Sequence, residues 1–314
     1  MTQYIIQRLL SACVTLWFVS FIAFALVNSI PVDPAEVALR LNDTAPSPEA
    51  IEEIREEFGL NDPFLVRYGN WLLASLQGDF GVSFTNTHRS VADELLRSFP
   101  YTLQLASLSL LLLLAISIPV GVLSAVYKDH WLDKSVRVFI FASTAMPNFW
   151  LAFILLWVFS IKLYWLPSSG ATTWSHFILP SITLSMAFIA TYIRLIRNSM
   201  LDSMKDHYVA YARARGIPEY RIIWKHLLKN SLQSSLTALG ISLVRLVAGT
   251  VVIESIFAIP GLGRLALGAI FNRDYPIIQA YVLVMGSLFV LSNLFIDILH
   301  RVVDPRLKLT GKPV

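Results

Sequence analysis

The chain of 314 residues is 55% hydrophobic and only 15% charged. A soluble domain carries about a quarter charged residues, so this balance excludes an ordinary soluble protein. The formal charge of +4 gathers in one loop and the tail, a mark of membrane orientation and not of nucleic-acid binding.

Residues 9–30, 102–126, 138–161 and 275–296 contain no Asp, Glu, Lys or Arg. Each run is about as long as the ~20 residues a helix needs to cross the hydrocarbon core. Residues 177–193 form a slightly shorter run that borrows Trp174 and Ser175, and 230–253 is apolar apart from Arg245. The expected fold is an all-α integral membrane protein with six transmembrane helices. A barrel is excluded because these runs are apolar all round instead of alternating. The first run is longer than a signal-peptide core and no small-residue cleavage pattern closes it before Pro31, so it reads as a retained span. Cys13, the single cysteine, lies in it and leaves no intrachain disulfide.

Residues 31–100 hold five Arg and twelve acids, the balance of a translocated segment. Ser47 caps a predicted helix opened by Pro48 and closed by Gly59. Asp62-Pro63 opens another, with Leu65, Tyr68, Leu72 and Leu76 on one stripe before Gly78. A third short helix is predicted over 90–99. This small helical extracytoplasmic insertion between the first and second spans either lies on the membrane surface or docks an external partner.

Within the third span, Met146-Pro147-Asn148 sits mid-membrane. Pro147 removes a backbone donor and kinks the helix, and Asn148 and Trp150 supply polar edges. Such a break lines a substrate cavity or serves packing alone. Trp165 and Trp174 beyond it suit an interfacial aromatic belt.

Residues 194–229 carry eight Lys/Arg against Asp202, Asp206 and Glu219, and the tail adds Arg301, Arg306, Lys308 and Lys312. Positive residues stay inside, so both termini and this loop are expected in the cytoplasm. The loop reads as a helix over 208–215, stopped by Gly216 with Pro218 beyond, then a second helix bearing Ile222, Ile223 and Leu227. Ala210, Ala212 and Ala214 allow close approach, Tyr208 and Tyr211 supply anchors, and Arg213 and Arg215 offer charges to a soluble protein. A solvated basic loop is the plainer reading, though orientation needs charge and no particular shape.

In the following span, Arg245 and Glu254 lie nine residues apart, on opposite faces of a helix. A charge at mid-membrane costs several kcal/mol, roughly 2.5–3.5 on insertion scales, so each faces a path, a partner or a neighbouring helix. Gly249 and the Gly261–Gly263 stretch after Pro260 permit close packing or a re-entrant turn. The six histidines show no i, i+4 pair and no Cys cluster, so no local metal site is expected. No Gly-x4-Gly-Lys-Ser/Thr loop occurs, so ATP would be handled by a partner.

The loop resembles the coupling loop of ABC importer permeases, whose pattern is Glu-Ala-Ala, three residues, Gly, nine residues, then Ile-x-Leu-Pro. Gly216 and Leu228 match; Ala210, Tyr211, His226 and Lys229 stand where the family has Glu, Ala, Ile and Pro. FGLNDPFLVRYGNWL, GDFGVSF, FPYTLQLA, IPVGVLSA, AMPNFWLA, GTVVIESIFAIPGLGRLALGAIFNRDYPIIQ and DPRLK resemble the dipeptide/oligopeptide/nickel branch, over nearly the whole chain. The compact third loop, WLPSSGATTWSHFILPS, and the overall length are most similar to its nickel-transport member.

The resemblance implies a non-catalytic permease in the bacterial inner membrane that carries a nickel chelate, with peptide import as the alternative. It also implies a second homologous permease as heterodimer partner, two cytoplasmic ATPases that bind ATP and Mg, and an extracytoplasmic solute-binding protein, with no cofactor in this chain. The ATPase-coupling residues would be Tyr208, Ala212, Arg213, Ala214, Arg215 and Gly216. Met146, Asn148, Trp150, Arg245 and Glu254 would form the path or gate. The organisation is then 1–30 for the N-terminus and first span, 31–100 for the insertion, 101–301 for the permease core with coupling loop 201–230, and 302–314 for the tail. An ion-driven secondary transporter would need internal repeats and midplane acids, neither of which stands out. An intramembrane enzyme lacks any Ser–His, Asp–Asp or His-Glu-x-x-His pattern in the spans.

Overall fold

The computed structural model describes residues 2–41, 45–85 and 89–303. Side chains 2–6, 9, 233–237, 240, 241, 243, 244 and 297–303 are outside that description, as are the expected tail charges Arg301, Arg306, Lys308 and Lys312. The described chain is helical, with one isolated antiparallel bridge, Val82 to Ser90. Its helices are α1 (Thr2–Asn28), α2 (Pro34–Leu41), α3 (Pro48–Glu57), α4 (Phe64–Leu76), α5 (Val91–Val126), α6 (Trp131–Ala145), α7 (Asn148–Leu155), α8 (Ile178–Ser203), α9 (His207–Ala214), α10 (Glu219–Arg221), α11 (Leu228–Ile256), α12 (Leu262–Asn272) and α13 (Tyr275–Val303). A π-helical turn, Leu156–Lys162, prolongs α7, and another, Ile222–Leu227, joins α10 to α11.

Four helices among the described residues are long and apolar enough to cross a membrane: Leu10–Asn28, Val91–Val126, Trp174–Ser203 and Tyr275–Ile296. A fifth candidate is the pair Trp131–Ala145 and Asn148–Lys162, which bends by 104° at its break. The expected sixth span falls on α11, part of which lies outside the described side chains.

Two compact units divide the chain. The first comprises Met1–Thr102 and Pro260–Leu291, the second Leu103–Ile259 and Ser292–Val314. In the first unit, Ser47 accepts the Ala50 N–H at 3.2 Å and Pro48 opens α3. Gly59, at φ +62°, closes that helix while the Leu60 N–H reaches back to the Arg55 carbonyl. Asp33 caps α2 through the Ala35 N–H and binds Arg55 of α3 at 2.6 Å.

The stripe expected on α4 is not the face that packs inward: Tyr68 is buried, whereas Leu65 and Leu76 are 69% and 77% exposed. The inward face is Phe64, Tyr68 and Trp71, whose rings meet Phe21 and Phe24 of α1 at centroid distances of 5.2–5.9 Å. The Tyr68 hydroxyl shares a buried hydrogen bond with Ser20 at 2.9 Å. Aromatic rings fill the inner face, and Leu65, Leu73 and Leu76 are left to the outer surface.

A separate helix over 90–99 is also corrected. Ser90 does cap a helix, accepting the Asp93 N–H at 3.1 Å, but that helix runs through Pro100 into the second span as the 36-residue α5. At 1.5 Å per residue it is ~54 Å long, well beyond the ~30 Å hydrocarbon core. Pro100 is tolerated because packing holds both of its sides. Val91 and Leu95 share an apolar cluster with Leu262, Ala269, Ile277 and Ala280. The Thr102 hydroxyl accepts the buried Leu262 N–H at 2.8 Å, capping α12 where Gly261 has no side chain to do so.

In the second unit α8 is central. Buried residues make up 61% of its apolar window, against 22% for α1 and 17% for α13. Helices α6, α7 and α11 pack on it. Gly249 allows the α8–α11 approach, since a Cβ there would stand 3.1 Å from Leu184.

Candidate functional site

The 201–230 loop is built on an apolar seat. Asp206 precedes α9, which ends at Ala214 because Gly216 adopts φ +70°, a left-handed conformation that only glycine enters freely. The Gly216 and Ile217 N–H groups then close onto the Arg213 and Ala212 carbonyls at 2.9 and 3.2 Å. Pro218 starts the return helix. Val209, Ala212, Ile222 and Leu227 form one buried cluster with Val122 and Ala125 of α5 and Ile196 and Met200 of α8. Each fully buried Val, Ile or Leu stabilises by about 1.5–3 kcal/mol relative to exposure. The seat therefore outweighs any surface ion pair on the loop.

This geometry sorts the six coupling candidates. Ala212 is buried and Tyr208 packs partly against the same cluster, so these two hold the loop in place instead of facing a partner. Ala214, Arg215 and Gly216 are exposed together with Ala210 and Tyr211. The Arg215 guanidinium lies 5.4 Å from the centre of the Tyr211 ring. Arg213, expected to be available to a soluble protein, is tied to Glu219 across the turn at 2.6 Å. That bond keeps the Glu219 carboxyl below its usual range and raises the guanidinium of Arg213.

The expected kink in the third span is a full break. Met146 is extended, at φ −91° and ψ 127°, Pro147 follows at φ −66°, and α7 restarts at Asn148. A proline ring disfavours helical backbone at the residue before it, and Met146 obeys. Met146 and Trp150 are exposed and Asn148 is half-buried. On α11, Arg245 is exposed and Glu254 is fully buried, as opposite faces require. Helices α7 and α11 pack together, which makes neighbours of the two segments that carry these five residues. Beyond α11, the Gly170 N–H of the third loop donates to the Phe257 carbonyl at 2.9 Å. Among the described residues, no group of three or more His, Cys, Asp or Glu comes together as metal ligands would.

Sequence reasoning missed one cluster. Asp133, in the first turn of α6, is fully buried. Its carboxylate accepts from Arg197 Nε and Nη2 at 2.7 and 2.8 Å, from Ser124 Oγ at 2.5 Å and from the Asp129 N–H at 3.0 Å. An acid beside Lys134 and Arg137 reads as a solvated charge at a span end, and no local signal marks a partner 64 positions away.

Comparison with known proteins agrees over nearly the whole length. Residues 117–309 match the family described as binding-protein-dependent transport system inner membrane component, and residues 1–106 match its N-terminal companion. The metal-staphylopine import system permease protein CntB of Staphylococcus aureus is 38% identical over 309 residues, covering 98% of this chain and 99% of the relative. The glutathione transport system permease protein GsiC of Escherichia coli is 35% identical over 308 residues, with the same coverage. An inward-facing structure of the MetNI methionine ABC transporter shares the fold at a TM-score of 0.56 and 21% identity, over 67% of this chain and 96% of that one. The chain therefore belongs to the inner membrane component family of binding-protein-dependent transport systems and is a permease subunit of an ABC importer.

Proposed function

We propose that this subunit forms half of an ATP-driven import pathway beside a second, homologous permease, with both chain termini in the cytoplasm. Two cytoplasmic ATPases, which bind ATP and Mg, drive the pair, and an extracytoplasmic solute-binding protein delivers cargo. The 201–230 loop receives the ATPase stroke. The observation that carries this reading is the loop's construction: an apolar seat on α5 and α8 with Ala210, Tyr211, Ala214 and Arg215 left outward. Small residues at Ala210 and Ala214 let a groove close on α9, while Tyr211 and Arg215 supply contact area and charge. The fully buried Glu254 suits a packing role within the subunit, and the exposed Arg245 suits the path or the second permease.

The proposed cargo is nickel as a chelate. It is supported by the compact third loop and by the metal-carrying relative. Di- or oligopeptide import is the second reading, favoured by the glutathione-carrying relative at similar identity. Uptake of radiolabelled nickel, with and without chelator, is to be compared with dipeptide uptake in cells lacking only this chain and in complemented cells. Restored chelator-dependent nickel uptake is expected; restoration of dipeptide uptake alone would overturn the nickel assignment. Full uptake by Arg245→Ala in an assembled complex would remove Arg245 from the path.

A further inference from the structure

The coupling loop's seat and the buried Asp133 cluster share the same two helices. On α5, Ser124 lies between Val122 and Ala125, which belong to the seat. On α8, Arg197 follows Ile196 and precedes Met200, again seat residues. Asp133 takes hydrogen bonds from both helices and from the α5–α6 turn, so one carboxylate ties α6 to the helix pair that carries the loop. Arg137 of α6 adds a second cation beside the carboxylate, at 3.5 Å. From Asp133, α6 runs 12 residues, ~18 Å at 1.5 Å per residue, to the 104° break at Met146 and Pro147.

A buried ion pair is a poor source of net stability, because desolvation offsets much of its attraction. It does fix geometry, since both carboxylate oxygens and the planar guanidinium accept one arrangement only. The Arg197 side chain is 13% exposed and Asp133 is fully enclosed, so the pair is shielded from solvent screening.

We propose that Asp133 and Arg197 are positioning residues for transport: a rigid joint through which movement of the loop's seat reaches the broken span. The proposal rests on the coupling assignment for the 201–230 loop. A loosened joint would let the loop move with the ATPase while α6 lags. Hydrolysis would then continue and transport would fail.

The test uses the complete importer, with both permeases, both ATPases and the binding protein, in proteoliposomes. Solute transported per ATP hydrolysed is measured for Asp133→Asn, Arg197→Met and the double variant. Each single variant is expected to keep loaded-binding-protein-stimulated hydrolysis within about two-fold while the transport ratio falls at least ~10-fold. The double variant is expected to fall no further than either single one, as two residues acting in one contact should. Ser124→Ala, which bares no charge, covers the case in which Asp133→Asn does not assemble; its ratio is expected to fall about three-fold. Unchanged ratios in assembled complexes would overturn the joint, as would a proportional loss of hydrolysis and transport, which marks a merely structural role. Gly216→Val in the same assay separates the two ideas. If it alone impairs the importer, by lowering stimulated hydrolysis, the joint fails and the loop assignment stands; if it leaves stimulated hydrolysis normal, the loop assignment itself fails.

Discussion

The 31–100 insertion and the 201–230 loop are both short amphipathic helices outside the spans with apolar faces packed inward, yet they dispose of their polar groups differently. The insertion spends its polar groups internally: Asp33 on Arg55, Arg67 on Asn28 at 2.6 Å, and Ser83 and Thr85 on Asp274, which is 191 and 189 positions away. The loop is fastened by aliphatic side chains, and among the described residues only Arg213 of its α9–Gly216 hairpin meets a carboxylate. Directional bonds hold a segment in one pose and leave few donors for anything else. A greasy seat holds a segment as firmly and keeps its polar face free. The first arrangement suits a fixed platform, the second a surface that engages and releases a partner.

Removing Asp274 would break this contrast most forcefully. Its fully buried carboxylate accepts from Ser83 Oγ at 2.5 Å and from the Thr85 N–H at 3.0 Å. Hydrogen bonds to a charged acceptor contribute about 1.5–3 kcal/mol each, so Asp274→Ala should loosen this segment by roughly 3 kcal/mol. Backbone amides over 79–85 are then expected to exchange on the order of 100-fold faster, with Asp274→Asn intermediate. Unchanged exchange would mean that the ring contacts of Phe84 with Phe58 and Tyr275 hold the segment by themselves.

How far each region was legible follows from the same distinction. The loop's turn could be read because its signals are local: Gly216, Pro218 and an apolar i, i+4 pattern all lie within about twenty residues. Its inward face was harder to assign. Ala212 and Ala214 look alike in sequence, and only the α5 and α8 side chains decide which is buried. On α4 the leucines drew attention, while the true inner face follows aromatic rings on α1. Pro100 read as a boundary because proline costs about 3 kcal/mol in a helix interior; packing on α12 and α13 overrides it. The Asp133 joint had no local signature at all. Periodicity reports which face of a helix is apolar, and it carries no information about which distant charge will meet it.

A smaller effect is expected at the hinge of the loop. A Cβ on Gly216 would meet nothing within 4 Å, so substitution there tests backbone conformation without steric clash. A left-handed conformation costs an L-residue about 1–2 kcal/mol, most for a β-branched one. Gly216→Val should lower stimulated hydrolysis several-fold in the reconstituted importer, whereas Gly216→Asn, which tolerates that conformation, should stay within two-fold. Equal loss in both variants would point to the glycine's small surface against a partner instead of its φ.

The smallest effect concerns the ion pair that spans the loop's turn. Arg213 and Glu219 are 49% and 53% exposed, so solvent and salt hold their contribution to about 0.5 kcal/mol or less. The hydrogen bond from Arg213 lowers the Glu219 carboxyl below its ordinary value, with the nearby positive charge adding to the shift. A carboxyl lowered on folding stabilises above its unfolded value, near pH 4.3, and loses that contribution as pH falls through the folded value. Amide exchange at Gly216 and Ile217, corrected for intrinsic rates, reads this directly, because their N–H groups close the turn the pair spans. In Glu219→Gln, protection at pH 7 should drop by about two-fold relative to the native chain. The two should converge as pH falls below the ordinary carboxylate range, since the native side chain is then neutral as well. A gap of the same size at pH 3 would show that Glu219 braces the turn through shape, and the loop would then hold its hinge without electrostatic help.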